Sequence, residues 1–213
     1  MKKLSLLLVA LSLVFTACSP HRQSLQPGDL VFQHNACGPL CESIDRVTEG
    51  YQGEDYNHCG LVVLQNDSLY VIEAIGRDVH LTSLNAFFAR SGGTITVGRL
   101  ISAYQHHVPA LQQNALEFLG RPYDVYFELD NAGLYCSELI YEASKALNHQ
   151  QPLFALAPMT FRDPATNETF PPWQKYYEAL SHPVPEGKPG INPGLLSRSD
   201  KLRVFKITHR ELP

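Results

Sequence analysis

The chain has 213 residues, with 17 Lys and Arg against 21 Asp and Glu, a formal net charge of −4 and 44% hydrophobic residues. That apolar content can fill a core and excludes wholesale disorder. No block of Lys or Arg occurs anywhere, which argues against a nucleic-acid partner, because phosphate recognition needs a clustered basic footprint.

The first element is a leader. Met1-Lys2-Lys3 is basic, Leu4 to Phe15 is almost wholly apolar, and Thr16-Ala17-Cys18 sets small residues before a cysteine. The apolar run falls short of the ~20 residues that span a bilayer, so the pattern is that of an export signal. Because Cys18 follows the small pair, the segment resembles a bacterial lipoprotein signal, in which Cys18 carries the lipid and becomes the first mature residue. The alternative is an ordinary signal peptide cut nearby. The expected organisation is a leader over 1–17, a tether over 18–25 and a single domain over 26–213. The lipid would hold the protein in the cell envelope, at the outer membrane on its periplasmic or surface side.

Gly28-Asp29-Leu30-Val31-Phe32 reads as a first strand. Cys37 and Cys41 then bracket Gly38-Pro39-Leu40, one residue longer than the Cys-x-x-Cys spacing of redox sites. A local disulfide, plausible in an exported protein, and two small loop residues are the readings left open. No four-ligand His or Cys set with zinc spacing is found, so no metal or other cofactor is expected.

Residues 58–64 and 69–75 are apolar and β-branched around Gln65-Asn66-Asp67-Ser68, which predicts a hairpin. With Leu64 paired to Leu69, His58 faces Ile75 and Glu73 faces Gly60. His58 and Glu73 then share one face, about 5–8 Å apart at Cβ, with Gly60 leaving room between them. A carboxylate there can orient an imidazole and stabilise its cation. A slip of one residue would send Glu73 to the other side. Cys59 points away from His58 and alternates with Leu61 and Val63, as a buried small hydrophobe does.

Leu84 to Ala89 predicts a short helix, Thr94 to Leu100 a strand, and Ala110 to Leu119 a helix ended by Gly120 and Pro122. Tyr123, Tyr126, Phe127 and Tyr135 are candidates to line a cleft, and Tyr123 or Tyr135 to bring a hydroxyl near an oxyanion. After the turn-rich Asp130 to Tyr135, Cys136, Ile140, Ala143 and Leu147 recur on one helical stripe. A thiol in the first turn of a helix gains from the positive end of the helix dipole, which favours thiolate. The N–H of Cys136 is placed to serve an oxyanion. The remaining histidines, including His34, His80, His149 and His182, sit in polar stretches.

Beyond residue 150 the composition changes, with most of the 15 prolines in 151–213. Proline removes backbone donors, so this stretch should wrap the surface. Trp173 and Tyr176-Tyr177 suggest a docked helix, and Leu202 to Thr208 alternates as a closing strand. The stretch is either one wall of the cleft or a wrap remote from it.

The pieces Gly28–Phe32, His58-Cys59-Gly60 and Tyr135-Cys136-Ser137-Glu138 resemble those of NlpC-type papain-like peptidases, with the cysteine helix moved to the end. The arrangement resembles the circularly permuted papain-like amidases of the YaeF/YiiX type, over roughly Gln26 to Leu147. The resemblance implies an α+β fold, an antiparallel sheet packed on a helix that bears the catalytic cysteine. It implies a cysteine hydrolase in which Cys136 attacks, His58 shuttles the proton and Glu73 orients His58. The expected substrate is an amide of the envelope, peptide or lipid, cleaved through a thioester. Lipid ester hydrolysis or acyl transfer on the same triad, and a non-catalytic lipid or peptide binder, are the alternatives.

Overall fold

A computed structural model describes residues 24–148 and 151–212. The leader, Cys18 and His149 lie outside the described residues. Six strands form one antiparallel sheet in the order β4-β3-β2-β1-β5-β8. They are β1 (Leu30–Gln33), β2 (His58–Gln65), β3 (Ser68–Ile75), β4 (Asp78–Ser83), β5 (Thr94–Leu100) and β8 (Leu202–Thr208). A second, two-stranded sheet pairs β6 (Ala157–Pro158) with β7 (Pro189–Gly190). The helices are α1 (Pro39–Asp45), α2 (Leu84–Ala89), α3 (Val108–Leu116), α4 (Cys136–Ser144), α5 (Pro171–Ala179) and α6 (Pro193–Ser197).

The sheet is covered on both sides, and alternation along each strand assigns its residues to one layer or the other. Leu30, Phe32, Cys59, Leu61, Val63, Ile72 and Ala74 pack with Leu111, Ala115, Leu139, Ile140 and Ala143, from α3 and α4. Val31, Val62, Val71, Ile95, Val97 and Ile207 pack instead with Phe87 and Phe88 of α2. A third cluster, Phe161, Phe170, Trp173 and Tyr177, lies in the C-terminal region.

The hairpin has the expected register: Leu64 pairs with Leu69 and Leu61 with Ile72. Asn66 and Asp67 both have positive φ, 49° and 58°, the left-handed pair of a type I′ turn whose twist matches the strands. The opening Gly28-Asp29 pair has a packing reason. Gly28 sits at φ 88°, where an added Cβ would meet Val108 at 2.6 Å. Asp29 is buried, and its carboxylate accepts from the Gln26 N–H at 2.8 Å and from Arg99 Nε and Nη2 at 2.7 Å each.

Three boundaries differ from expectation. Leu25 is buried with the α2 layer, and the Ser24 carbonyl accepts from Arg99 at 2.7 Å. The packed domain therefore reaches back into the stretch read as tether. The segment after Cys37 is a helix, α1, with Pro39 in its first turn, where a missing N–H costs nothing. The helix read over 110–119 begins earlier and ends at Leu116; Glu117 to Gly120 form the turns after it. No helix among the described residues is long and apolar enough to cross a membrane.

Candidate active site

Cys136 opens α4, with Tyr135 as the extended residue just before it and the Glu138 carboxylate accepting from the Tyr135 N–H at 3.2 Å. The N–H of Cys136 lies in the first turn, where no intrahelical acceptor is available. Its side chain is 7% exposed and lies on the face of α4 that packs on the sheet.

His58 is the first residue of β2, at the sheet's end, so its ring can be reached from both layers. His58 Nε2 meets Glu73 Oε2 at 2.5 Å, and the Cys136 thiol lies near enough to the imidazole to favour its charged form. With Nε2 taken by the carboxylate, Nδ1 is the nitrogen left for sulfur. Gly60 opens the space: an added Cβ would run into Val71 and touch Glu73 Cβ at 3.4 Å.

Glu73 is fully buried and has a second partner that the sequence did not reveal. Arg90, just past the end of α2, donates Nη2 to Oε1 at 2.7 Å and to Oε2 at 2.6 Å. The guanidinium lies over the Phe87 ring, 5.1 Å from its centroid, and that ring stands 6.1 Å from His58. A buried carboxylate alone would be protonated or costly; between two cationic donors it is compensated. Burial works against the charged form of Glu73, yet His58 and Arg90 outweigh it and hold the carboxyl down at about 2. Burial also disfavours a charged His58, but hydrogen bonds to Cys136 and Glu73 raise it to about 9.

Cys59 sits in the α4 layer with Leu61 and Val63, as its parity requires, but it is also a neighbour of Cys136. Hydrogen bonds from the Cys59 thiol, then from His58, overcome burial and hold the Cys136 thiol well below its ordinary value. Burial pushes Cys59 itself well up. The arrangement can therefore store a thiolate beside an imidazolium, the resting form of a thiol nucleophile.

A cavity of about 360 Å³ opens on this pair. Cys136, His58, Tyr123, Phe127 and Tyr135 line it on one side, and Leu40, Ile44, Met159, Phe161, Trp173 and Ile191 on the others. No Asp, Glu, Lys or Arg is among the residues lining it. Tyr123 and Tyr135 thus both reach the cleft, and the Tyr135 hydroxyl accepts from the Ile191 N–H at 3.2 Å, a bond that leaves its own proton available. Ser137, on the other side of Cys136, donates to the Ile191 carbonyl at 2.9 Å. Cys37 and Cys41 are bonded to each other at the cleft's edge, with Cα atoms 5.5 Å apart. His34 pairs with Asp45 at 2.9 Å, His80 with Asp78 at 3.0 Å and His182 with Glu128 at 3.2 Å, and none of these three lines the cavity.

A thiol at a helix start, an imidazole on a strand and a carboxylate beyond it define a papain-like arrangement whose parts are permuted along the chain. The family model described as permuted papain-like amidase enzyme, YaeF/YiiX, C92 family, matches residues 24–205, and the chain belongs to that family. A protein of Escherichia coli K12 named as the uncharacterized protein YiiX is 33% identical over 121 residues. That match covers 55% of this chain and 56% of the relative, so the chain spans about half the length of the curated protein it matches. A crystal structure titled as that of the metalloprotein YiiX, from Escherichia coli O157:H7, shares the fold with a TM-score of 0.66 at 24% identity. It covers 84% of this chain and 96% of its own. Among the described residues here, no group of three or more His, Cys, Asp and Glu is arranged to hold a metal ion.

Proposed function

We propose that this protein is an exported, lipid-anchored cysteine amidase that cleaves N-acyl amides with an apolar acyl group. The observation that carries the reading is a cavity free of Asp, Glu, Lys and Arg opening directly on the His58–Cys136 pair. Such a lining suits a hydrocarbon chain, whose burial is worth ~0.8 kcal/mol per CH₂. It holds no Lys or Arg to pair with the carboxylates of a cell-wall stem peptide.

In the reaction the Cys136 thiolate attacks the amide carbon, and the oxyanion that forms takes the Cys136 N–H. The His58 imidazolium gives its proton to the nitrogen, the C–N bond breaks and the amine leaves. His58, now neutral, takes a proton from water, whose oxygen attacks the thioester carbon. The C–S bond breaks, the acid leaves and the ion pair is restored. Glu73 stays ionised throughout and holds the ring.

Support for export and anchoring comes from the leader over 1–17 and Cys18. Intact-mass spectrometry tests the chemistry: an acyl amide should leave an acyl group on wild-type protein and none on Cys136→Ser. Matched acyl esters run beside the amides distinguish a lipid ester hydrolase, and absence of any covalent intermediate with either would leave a binding protein. Cys18→Ser should release soluble, active protein; wild-type protein that is already soluble and carries no lipid would refute the anchor.

A further inference from the structure

Phe127 has a backbone conformation that its side chain does not favour. Its φ is 55°, the left-handed region that bulky residues rarely adopt. The bonds around it show what imposes this. The buried Asp124 carboxylate accepts from the Tyr126 N–H at 2.8 Å and from the Glu128 N–H at 2.9 Å, on either side of Phe127. From α5, the Tyr176 hydroxyl donates to the Val125 carbonyl at 2.8 Å and the Tyr177 hydroxyl to the Tyr126 carbonyl at 2.9 Å. Four hydrogen bonds thus fix the loop so that the ring of Phe127 is turned into the cavity wall. There it stands 5.6 Å from Tyr135, the neighbour of the nucleophile, and packs edge to face on Trp173 at 5.5 Å. It is packed against both the cluster that contains Cys136 and the cluster that contains Trp173. A backbone strain kept at a ligand cavity, and over-determined by its surroundings, points to a use for the ring.

We propose that Phe127 is the specificity-determining residue of the cleft, its ring setting how long an apolar acyl chain can lie with its carbonyl at Cys136. This rests on the acyl-amide reading above, and the test separates the two. Alkylation of Cys136 by iodoacetamide and by N-alkyl iodoacetamides of rising chain length needs no turnover. In Phe127→Ala the ratio of long-chain to parent rate should rise about tenfold or more over wild type, the scale on which apolar pockets discriminate chain length. Across acyl amides from butanoyl to hexadecanoyl, kcat/KM should move toward longer chains by a similar factor. Phe127→Leu, which keeps an apolar side chain and serves if the alanine variant does not fold, should give a smaller shift in the same direction. Unchanged or lowered alkylation ratios in the folded variants would overturn the role of Phe127, whether or not amides are hydrolysed. Raised ratios with no amide cleaved by any protein would keep Phe127 in that role and overturn the amidase reading.

Discussion

The sheet-side wall of the cleft is backed by a row of alternating charge, His58, Glu73 and Arg90, 2.5 to 2.7 Å apart, of which only His58 lines the cavity. On the other side, Met159, Phe161, Trp173 and Ile191 present hydrocarbon and aromatic rings. The first wall is built from residues close in the chain and held by directional bonds, where an error of an ångström matters. The second comes from a proline-rich stretch far from Cys136 in sequence, where apolar contact dominates and, of the four, Ile191 alone is tied to the residues flanking the nucleophile. On the proposed function the charged row sets reactivity, while chain-length selectivity falls to Phe127 and the apolar residues it packs against.

The largest effects should come from breaking the charged wall. Cys136→Ala should remove turnover by on the order of 10⁶-fold, and His58→Ala should slow both turnover and iodoacetamide labelling of Cys136 by ~10²–10⁴-fold. Labelling that ignored His58→Ala would mean that the imidazole does not activate the thiol. Glu73→Gln should cost less than loss of the nucleophile, at most on the order of 10⁴-fold, because it orients and stabilises rather than reacts.

The pH profile sharpens the same comparison. His58 must be an imidazolium to protonate the leaving amine, and its raised value of about 9 puts the fall of kcat/KM near pH 9. Glu73 is among the groups that raise it, so Glu73→Gln should move this alkaline limb down; an unmoved limb would disconnect the carboxylate from the imidazole. Arg90→Met should slow turnover about tenfold, ~1.4 kcal/mol at the transition state. Arg90 helps to hold Glu73 at about 2, so its loss lets Glu73 protonate at higher pH and raises the acid limb, with Arg90→Lys restoring it in part. The smallest effect is expected from Tyr135→Phe. Removing the acceptor of the Ile191 N–H should cost ~1 kcal/mol in thermal unfolding, with turnover almost unchanged. A large loss of turnover would give that hydroxyl a part in the chemistry.

Much of the charged wall was legible because its signals are local. A two-residue turn fixes the hairpin register, and with a side-chain period of two the register fixes the faces; that alone brought His58 and Glu73 together. The cysteine helix announced itself by the apolar stripe after a turn-rich approach. Arg90 was not legible, because nothing next to Ala89 in the sequence says that the end of α2 lies over Glu73. Strand β4 carries a weak signal, because Val79 and Leu81 alternate with Asp78, His80 and Thr82 in a segment with only two apolar residues. Of the two readings of Cys37 and Cys41 the disulfide is the one present, and Cys41 lies on helix α1, whose start is marked by Pro39 followed by Glu42. Cys59 was read from its parity alone, which gives a layer but not the neighbour across it. The left-handed Phe127 has no sequence signature at all, since its conformation is imposed by hydrogen bonds from Asp124 and α5.

The grip on Ile191 has a temporal side. Tyr135 and Ser137 flank the nucleophile, and both are tied to a residue more than fifty positions further on, 54 in the case of Ser137. A chain delivered amino end first, from a ribosome or through an export channel, presents Cys136, His58 and Glu73 well before that clamp exists. Strand β8, which closes the sheet beside β5, arrives later still. The nucleophile's surroundings are therefore completed only when nearly the whole chain has emerged, so prematurely ended chains would carry Cys136, His58 and Glu73 without the finished site.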